Sequence, residues 1–161
     1  VLFNSRYNPH YQNVFATAHD DYKIRIWRLT KKMKSAMLGQ LKGHTDLVHS
    51  IKWHPIYHNI LVSGSFDGNI RLWNTTSKKC LYTIPAHDND IYFVLWNKVY
   101  TSLLASAGKD GKVKIWYFPQ LAEPIQKTKM IDKFYDISFN FKDTAIIKNF
   151  NKLSLKDNYL L

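Results

Sequence analysis

Shifted by 43 residues, the segment from Gly43 to Trp73 lies over the segment from Ala86 to Trp116 without a gap. His44 falls on His87, Trp53 on Trp96, Ser63 on Ser106, Asp67 on Asp110 and Trp73 on Trp116. A third copy lies upstream at an offset of 46, where Tyr7, Pro9, Thr17, Asp21 and Trp27 meet Trp53, Pro55, Ser63, Asp67 and Trp73. The three extra residues fall after Trp27, in a Lys-rich run where a surface loop absorbs an insertion. Self-similarity at a period of roughly 40–45 residues points to a repeat architecture.

Each copy reads as strands. Leu47 to Trp53 is a β-favouring run closed by His54-Pro55, and Ile60 to Ser65 is a short apolar strand. Asp67-Gly68 signals a tight turn into the alternating run Asn69 to Trp73. A further strand per copy fits Ala36 to Leu41 and Cys80 to Ile84. No helical period of useful length competes. Four antiparallel strands at this period predict an all-β chain of propeller blades.

With those residues in place, the chain resembles the WD-repeat (tryptophan–aspartate repeat) β-propeller family. The resemblance covers about residues 1–118 and implies a structural tetrad in each blade. That tetrad is His44, Ser63, Asp67 and Trp73 in one blade, and His87, Ser106, Asp110 and Trp116 in the next. In the first blade only Thr17, Asp21 and Trp27 are present, the matching His falling before Val1. Its physical sense is a buried hydrogen-bond chain from indole through hydroxyl and imidazole to the turn carboxylate. The Asp of the terminal Trp-Asp pair is absent, since Arg28, Asn74 and Tyr117 follow the three Trp. The expected organisation is a first blade at 1–41, a second at 42–84, a third at 85–130, and a degenerate partial fourth with a tail at 131–161. Tyr135 to Asn140 would open that fourth blade and Thr144 to Ile147 follow it. Three blades and a remnant leave open edges, so the chain is expected to be an incomplete ring or a fragment. Remaining blades or another chain would then cover those edges.

Composition excludes several classes. Aromatics make up 15% of the 161 residues, too many for a disordered chain, and no apolar run approaches the roughly 20 residues that span a bilayer. Cys80 is the single cysteine, which points to a reducing, intracellular setting, cytoplasmic or nuclear. The net charge of +11 favours an anionic partner. Yet 19 Lys against 4 Arg, with 12 Asn, is also what AT-rich codon usage produces.

Candidate chemistry narrows quickly. His44, His49, His54 and His58 do not converge on one ion when strand side chains alternate faces, so no metal and no cofactor are expected. No Gly-x-Ser-x-Gly elbow or phosphate-loop spacing occurs, so no catalytic residue is assigned and the chain reads as a non-enzyme. What remains is recognition. The resemblance implies docking at the start of each inner strand and in the loop before the tetrad Asp. Those positions are Phe3 and Asp20, then Leu47, His49 and Phe66, then Asp90, Tyr92 and Lys109. Phe66, an aromatic in a turn where polar residues are usual, is either a contact anchor or a cover over the neighbouring blade. The reading is a non-catalytic protein–protein scaffold or adaptor. The alternative is a basic surface of Lys31, Lys32, Lys34, Lys78 and Lys79 that binds RNA or anionic lipid.

Overall fold

The computed structural model describes residues 1–32, 34–118 and 121, and the backbone of 137–140. Those residues form three four-stranded antiparallel sheets and contain no α-helix. The first sheet holds β1 (Leu2–Tyr7), β2 (Val14–His19), β3 (Ile24–Leu29) and β4 (Ser35–Leu41) in chain order. The second holds β5 (Val48–Trp53), β6 (Ile60–Ser65), β7 (Asn69–Asn74) and β8 (Lys79–Pro85). The third runs β9 (Ile91–Trp96), β10 (Leu103–Gly108), β11 (Lys112–Tyr117) and β12 (Ile137–Asn140). They are propeller blades without a closed ring.

Turn chemistry shapes each blade locally. The turn between its second and third strands places Tyr22, Gly68 and Gly111 at equivalent positions, with φ of 65°, 77° and 75°. Glycine adopts that left-handed conformation freely, and a tyrosine does not. Gly68 has a further constraint, because a Cβ there would lie 2.5 Å from the His87 carbonyl oxygen.

Stacking builds the core. Ala16, Ile24, Ile26 and Leu41 of the first blade pack against Val48, Ile51, Trp53, Leu61 and Trp73 of the second. Val62, Ile70, Leu72 and Ile84 on the second blade's other face pack against Ile91, Val94, Trp96, Leu104 and Trp116 of the third. A blade is thus apolar on both faces, and β6 is buried along its whole length. Position decides how far that burial is realised. Leu2 and Tyr7, on the first blade, are 53% and 63% exposed, whereas their second-blade equivalents Val48 and Trp53 are 0% and 7%.

Two polar positions repeat as clips between blades. His54 Nδ1 accepts the backbone N–H groups of Ile56 and Tyr57, while its Nε2–H donates to Thr101 O of the next blade at 2.9 Å. Asn8, its first-blade equivalent, accepts from His10 and Tyr11 and donates to His58 O at 2.7 Å. Two accepted N–H bonds require a lone pair on Nδ1, so His54 is the neutral Nε2–H tautomer. Burial pulls its pKa down to about 4, which favours the same form.

One strand differs from the sequence-based expectation. Ile137–Asn140, placed there at the start of a fourth blade, pairs antiparallel with β11 from Lys112↔Asn140 to Ile115↔Ile137. It is therefore the outermost strand of the third sheet, answering the backbone groups that β11 turns away from β10. A period read from sequence does not reveal this, because the pairing bridges 19 residues after Tyr117 where the two earlier turns are short. Residues 122–130, Thr144 to Ile147 and the tail lie outside the described residues.

Candidate functional site

In the second blade, Trp73 Nε1–H donates to Ser63 Oγ at 2.8 Å, and the Ser63 hydroxyl donates to His44 Nε2 at 2.7 Å. His44 Nδ1–H then donates to Asp67 at 2.7 Å. The third blade repeats this through Trp116, Ser106, His87 and Asp110, with contacts of 2.9, 2.7 and 2.9 Å. Burial pulls His44 below the ordinary imidazole pKa and outweighs the opposite pull of Asp67. Burial would raise Asp67, but the His44 N–H and the backbone N–H groups of Asn69 and Thr45 hold its carboxyl well below the usual range. The stable arrangement is a neutral imidazole donating to a carboxylate.

The first blade completes its network differently. Trp27 Nε1–H donates to Thr17 Oγ1 at 2.7 Å, and Thr17 donates to His19 Nε2 at 2.9 Å. His19 comes from β2 itself, at the position of Ser65 and Gly108 in the other blades. The space is shared: a Cβ on Gly108 would lie 2.6 Å from His87 Nδ1. An imidazole from the strand therefore fills the room that an imidazole from the preceding loop takes elsewhere. Asp21 pairs with Arg25 instead, and that bond chiefly holds its pKa down to about 2. His19 was missed in the sequence because its copy-equivalents are small, although a His beside the turn of the copy lacking the loop His was the available signal.

At the same end of the blades, each inner strand carries a bulge. The register skips between Leu2 and Asn4, between Val48 and Ser50, and opposite Ala107/Gly108 between Ile91 and Phe93. The skipped residues are Phe3, His49 and Tyr92, and a bulge re-aims its side chain. They meet across the blades: His49 lies 6.2 Å from Phe3 and 5.8 Å from Tyr92, centroid to centroid. Phe66 stacks on His49 at 5.4 Å and 19°, and presents an edge to Tyr92 at 5.7 Å. His49 Nδ1–H donates to Tyr92 O at 2.8 Å, which leaves Nε2 as an acceptor. Phe93, 64% exposed and 6.2 Å from His49, extends the group and was not singled out from sequence.

The remaining positions frame this arc. Leu47 O and Asp90 O accept the N–H groups of Phe66 and Lys109, at 2.9 and 2.8 Å, and Val1 O accepts that of Asp20 at 3.1 Å. Lys109 Nζ lies 3.3 Å from Asp90 Oδ2. Phe66 is half-buried between His49 and the third blade, so it covers the neighbouring blade while showing one flank to solvent.

A sequence model of the family described as "WD domain, G-beta repeat" matches residues 35–74 and 78–117. Each match starts with the outermost strand of one blade and ends on the third strand of the next. The chain is a WD-repeat protein. The WD40 domain of Toxoplasma gondii coronin superposes with a TM-score of 0.68 at 27% identity, covering 76% of this chain and 32% of that one. Protein DSE1 of Scheffersomyces stipitis is 44% identical over 48 residues, 30% of this chain and 7% of that protein. The chain therefore spans about a third or less of either relative.

These WD repeats are electrically polarised. Every acidic residue among the described ones (Asp20, Asp21, Asp46, Asp67, Asp88, Asp90 and Asp110) lies at the end of the blades that carries the aromatic arc. The opposite end holds Arg28, Lys31, Lys32, Lys34, Lys78, Lys79 and Lys98 and no described acid. Lys78 lays its stem along Gly39 of β4, where a Cβ would be 2.5 Å from its Cε, so the second blade's turn reaches over the first blade's outermost strand. Cys80 is a half-buried free thiol. Among the described residues no group of His, Cys, Asp or Glu is arranged to hold a metal.

Proposed function

We propose that this WD-repeat chain is a non-catalytic adaptor that docks a protein partner on the aromatic arc of Phe3, His49, Phe66 and Tyr92. The reading rests on one observation: three blades use the same bulge to turn an aromatic side chain toward one end, where the rings touch. Family members generally bind other proteins, and tight interfaces concentrate energy in central aromatic anchors with a polar rim. Asp20, Asp90 and Lys109 supply that rim, with Leu47 as an apolar neighbour. The rings are held by their own blades, so little side-chain freedom remains to be lost on binding.

A photo-crosslinking residue at Phe3 should capture the partner in cells, and one at Lys78 should not. His49→Ala and Tyr92→Ala should abolish capture while a Lys78→Ala/Lys79→Ala double variant leaves it intact. Capture that survives both arc variants would remove the arc from the interface. A second reading uses the Lys31, Lys32, Lys34, Lys78 and Lys79 rim to hold RNA or anionic lipid, and is favoured by the reach of Lys78 over Gly39 of the first blade. Binding by that rim should fall steeply between about 50 and 200 mM salt, and docking on the arc should not. We also propose an intracellular site, cytoplasmic or nuclear, on the strength of the single cysteine, to be checked by imaging a fluorescent fusion.

A further inference from the structure

An open surface hollow of about 220 Å³ lies at the basic end, where the three inner strands run out. Its wall carries Arg6, Lys52 and Lys98 together with Tyr7, Trp53 and Trp96. Arg6 and Lys52 are equivalent residues of adjacent blades, and Lys98 stands where the first two blades have Pro9 and Pro55. None of the three cations is in an ion pair among the described residues. Burial, and next the charge of Arg6, pull the Lys52 ammonium below its ordinary pKa. The fold thus holds like charges side by side with no counter-charge. Trp53 Nε1–H donates to Arg6 O at 3.0 Å, while the equivalent N–H of Trp96, buried behind the wall, has no acceptor among the described residues.

We propose that this hollow binds a small organic phosphate, with the phosphate among Arg6, Lys52 and Lys98 and a single-ring apolar body against Tyr7 and Trp53. A guanidinium beside two ammonium groups suits a dianionic phosphate better than a monoanionic carboxylate, since each further cation adds a charge-assisted contact. The volume sets the size, lying below the roughly 300–1,000 Å³ of pockets for drug-sized ligands. The site is separate from the aromatic arc, at the other end of the blades, and stands whether or not that arc docks a partner.

The test uses the full chain with phenyl phosphate, inorganic phosphate and benzyl alcohol as probes, followed by calorimetry and by the Trp96 indole N–H resonance. Phenyl phosphate should bind saturably and shift that resonance. Inorganic phosphate should bind more weakly, and benzyl alcohol should not compete at equal concentration. Lys52→Met, which keeps the stem, and Lys98→Ala, in an exposed turn, should each weaken phenyl phosphate about tenfold, while Lys42→Ala, exposed after β4 at the other end of the blades, changes nothing. Absence of saturable binding, or equal losses from Lys42→Ala and Lys52→Met, would overturn the site. Equal affinity for phenyl and inorganic phosphate would overturn the apolar half of the proposal.

Discussion

The first and second blades solve the same structural problem with different residues. In the second, an imidazole from the preceding loop reaches the hydroxyl and hands on to a carboxylate whose side chain is 5% exposed. In the first, the imidazole rises from β2, and the carboxylate of Asp21, 35% exposed, turns to Arg25. The Trp–hydroxyl–imidazole segment is common to both. The loop-to-turn connection is not. The second arrangement ties the incoming loop, two strands and the turn into one satisfied network, and the first ties the strands and leaves its carboxylate in a surface ion pair. Buried networks are the costly ones to break, because the abandoned donors stay away from water.

The sharpest way to break this comparison is to remove the two carboxylates in turn. Asp67→Ala strands the N–H groups of His44, Thr45 and Asn69 and should cost about 3 kcal/mol, whereas Asp21→Ala should cost less than about 1 kcal/mol. Urea denaturation of both variants measures the gap, and equal losses would show that burial does not separate the two blades.

The clip residues extend the comparison to pH. His54 does in the second blade what Asn8 does in the first, but only His54 titrates. Its folded pKa of about 4 lies under the ordinary 6.5, so the unfolded chain binds the extra proton first. The stability it contributes is present above pH 6.5 and is lost as pH falls toward 4, up to about 3 kcal/mol. His54→Asn brings in the first-blade residue and should make the fall of urea midpoints between pH 6.5 and 4 shallower, leaving the part due to His44 and His19, which burial also lowers. The carboxylates with lowered pKa, Asp21, Asp67 and Asp110, lose their contribution only at more acid pH. A slope in that window unchanged by His54→Asn would assign the acid sensitivity elsewhere.

Turn geometry gives the next effects. Gly68→Ala meets both the left-handed φ and the His87 carbonyl, and should cost about 2 kcal/mol or more. Gly111→Ala meets only the φ, with nothing within 4 Å, and should cost about 1 kcal/mol. Thermal melts of the pair test whether the obstacle or the φ dominates. The smallest change is expected at Tyr22, exposed and already at φ 65°. Tyr22→Gly should stabilise by about 0.5 kcal/mol, the strain relieved being partly offset by the flexible unfolded chain. A loss of stability would mean that the tyrosine ring holds the turn.

Much of this fold was legible from spacing alone. The tetrad Trp, hydroxyl and Asp residues, the Asp-Gly turns and most strand positions recur at a fixed period. Each is set by neighbours within one copy, so a shift of 43 or 46 residues exposes it. The candidate site was legible only in part. Phe3, His49, Phe66 and Tyr92 could be placed residue by residue, but their mutual contact depends on three bulges that a sequence does not mark. Phe93 escaped because its partner His49 belongs to another blade.

By itself, the sequence determined the blade: a period, a hydroxyl under an indole, a carboxylate in a tight turn. Those are short-range demands of hydrogen bonding and turn sterics. Only the tertiary structure decided which imidazole completes the first network, which segment lies outermost in the third sheet, and how acids and bases separate to opposite ends. It also decided that Arg6, Lys52 and Lys98 line one open hollow with no carboxylate paired to them among the described residues. Each depends on residues tens of positions apart arriving at one place, and that meeting is settled by how blades stack and strands pair.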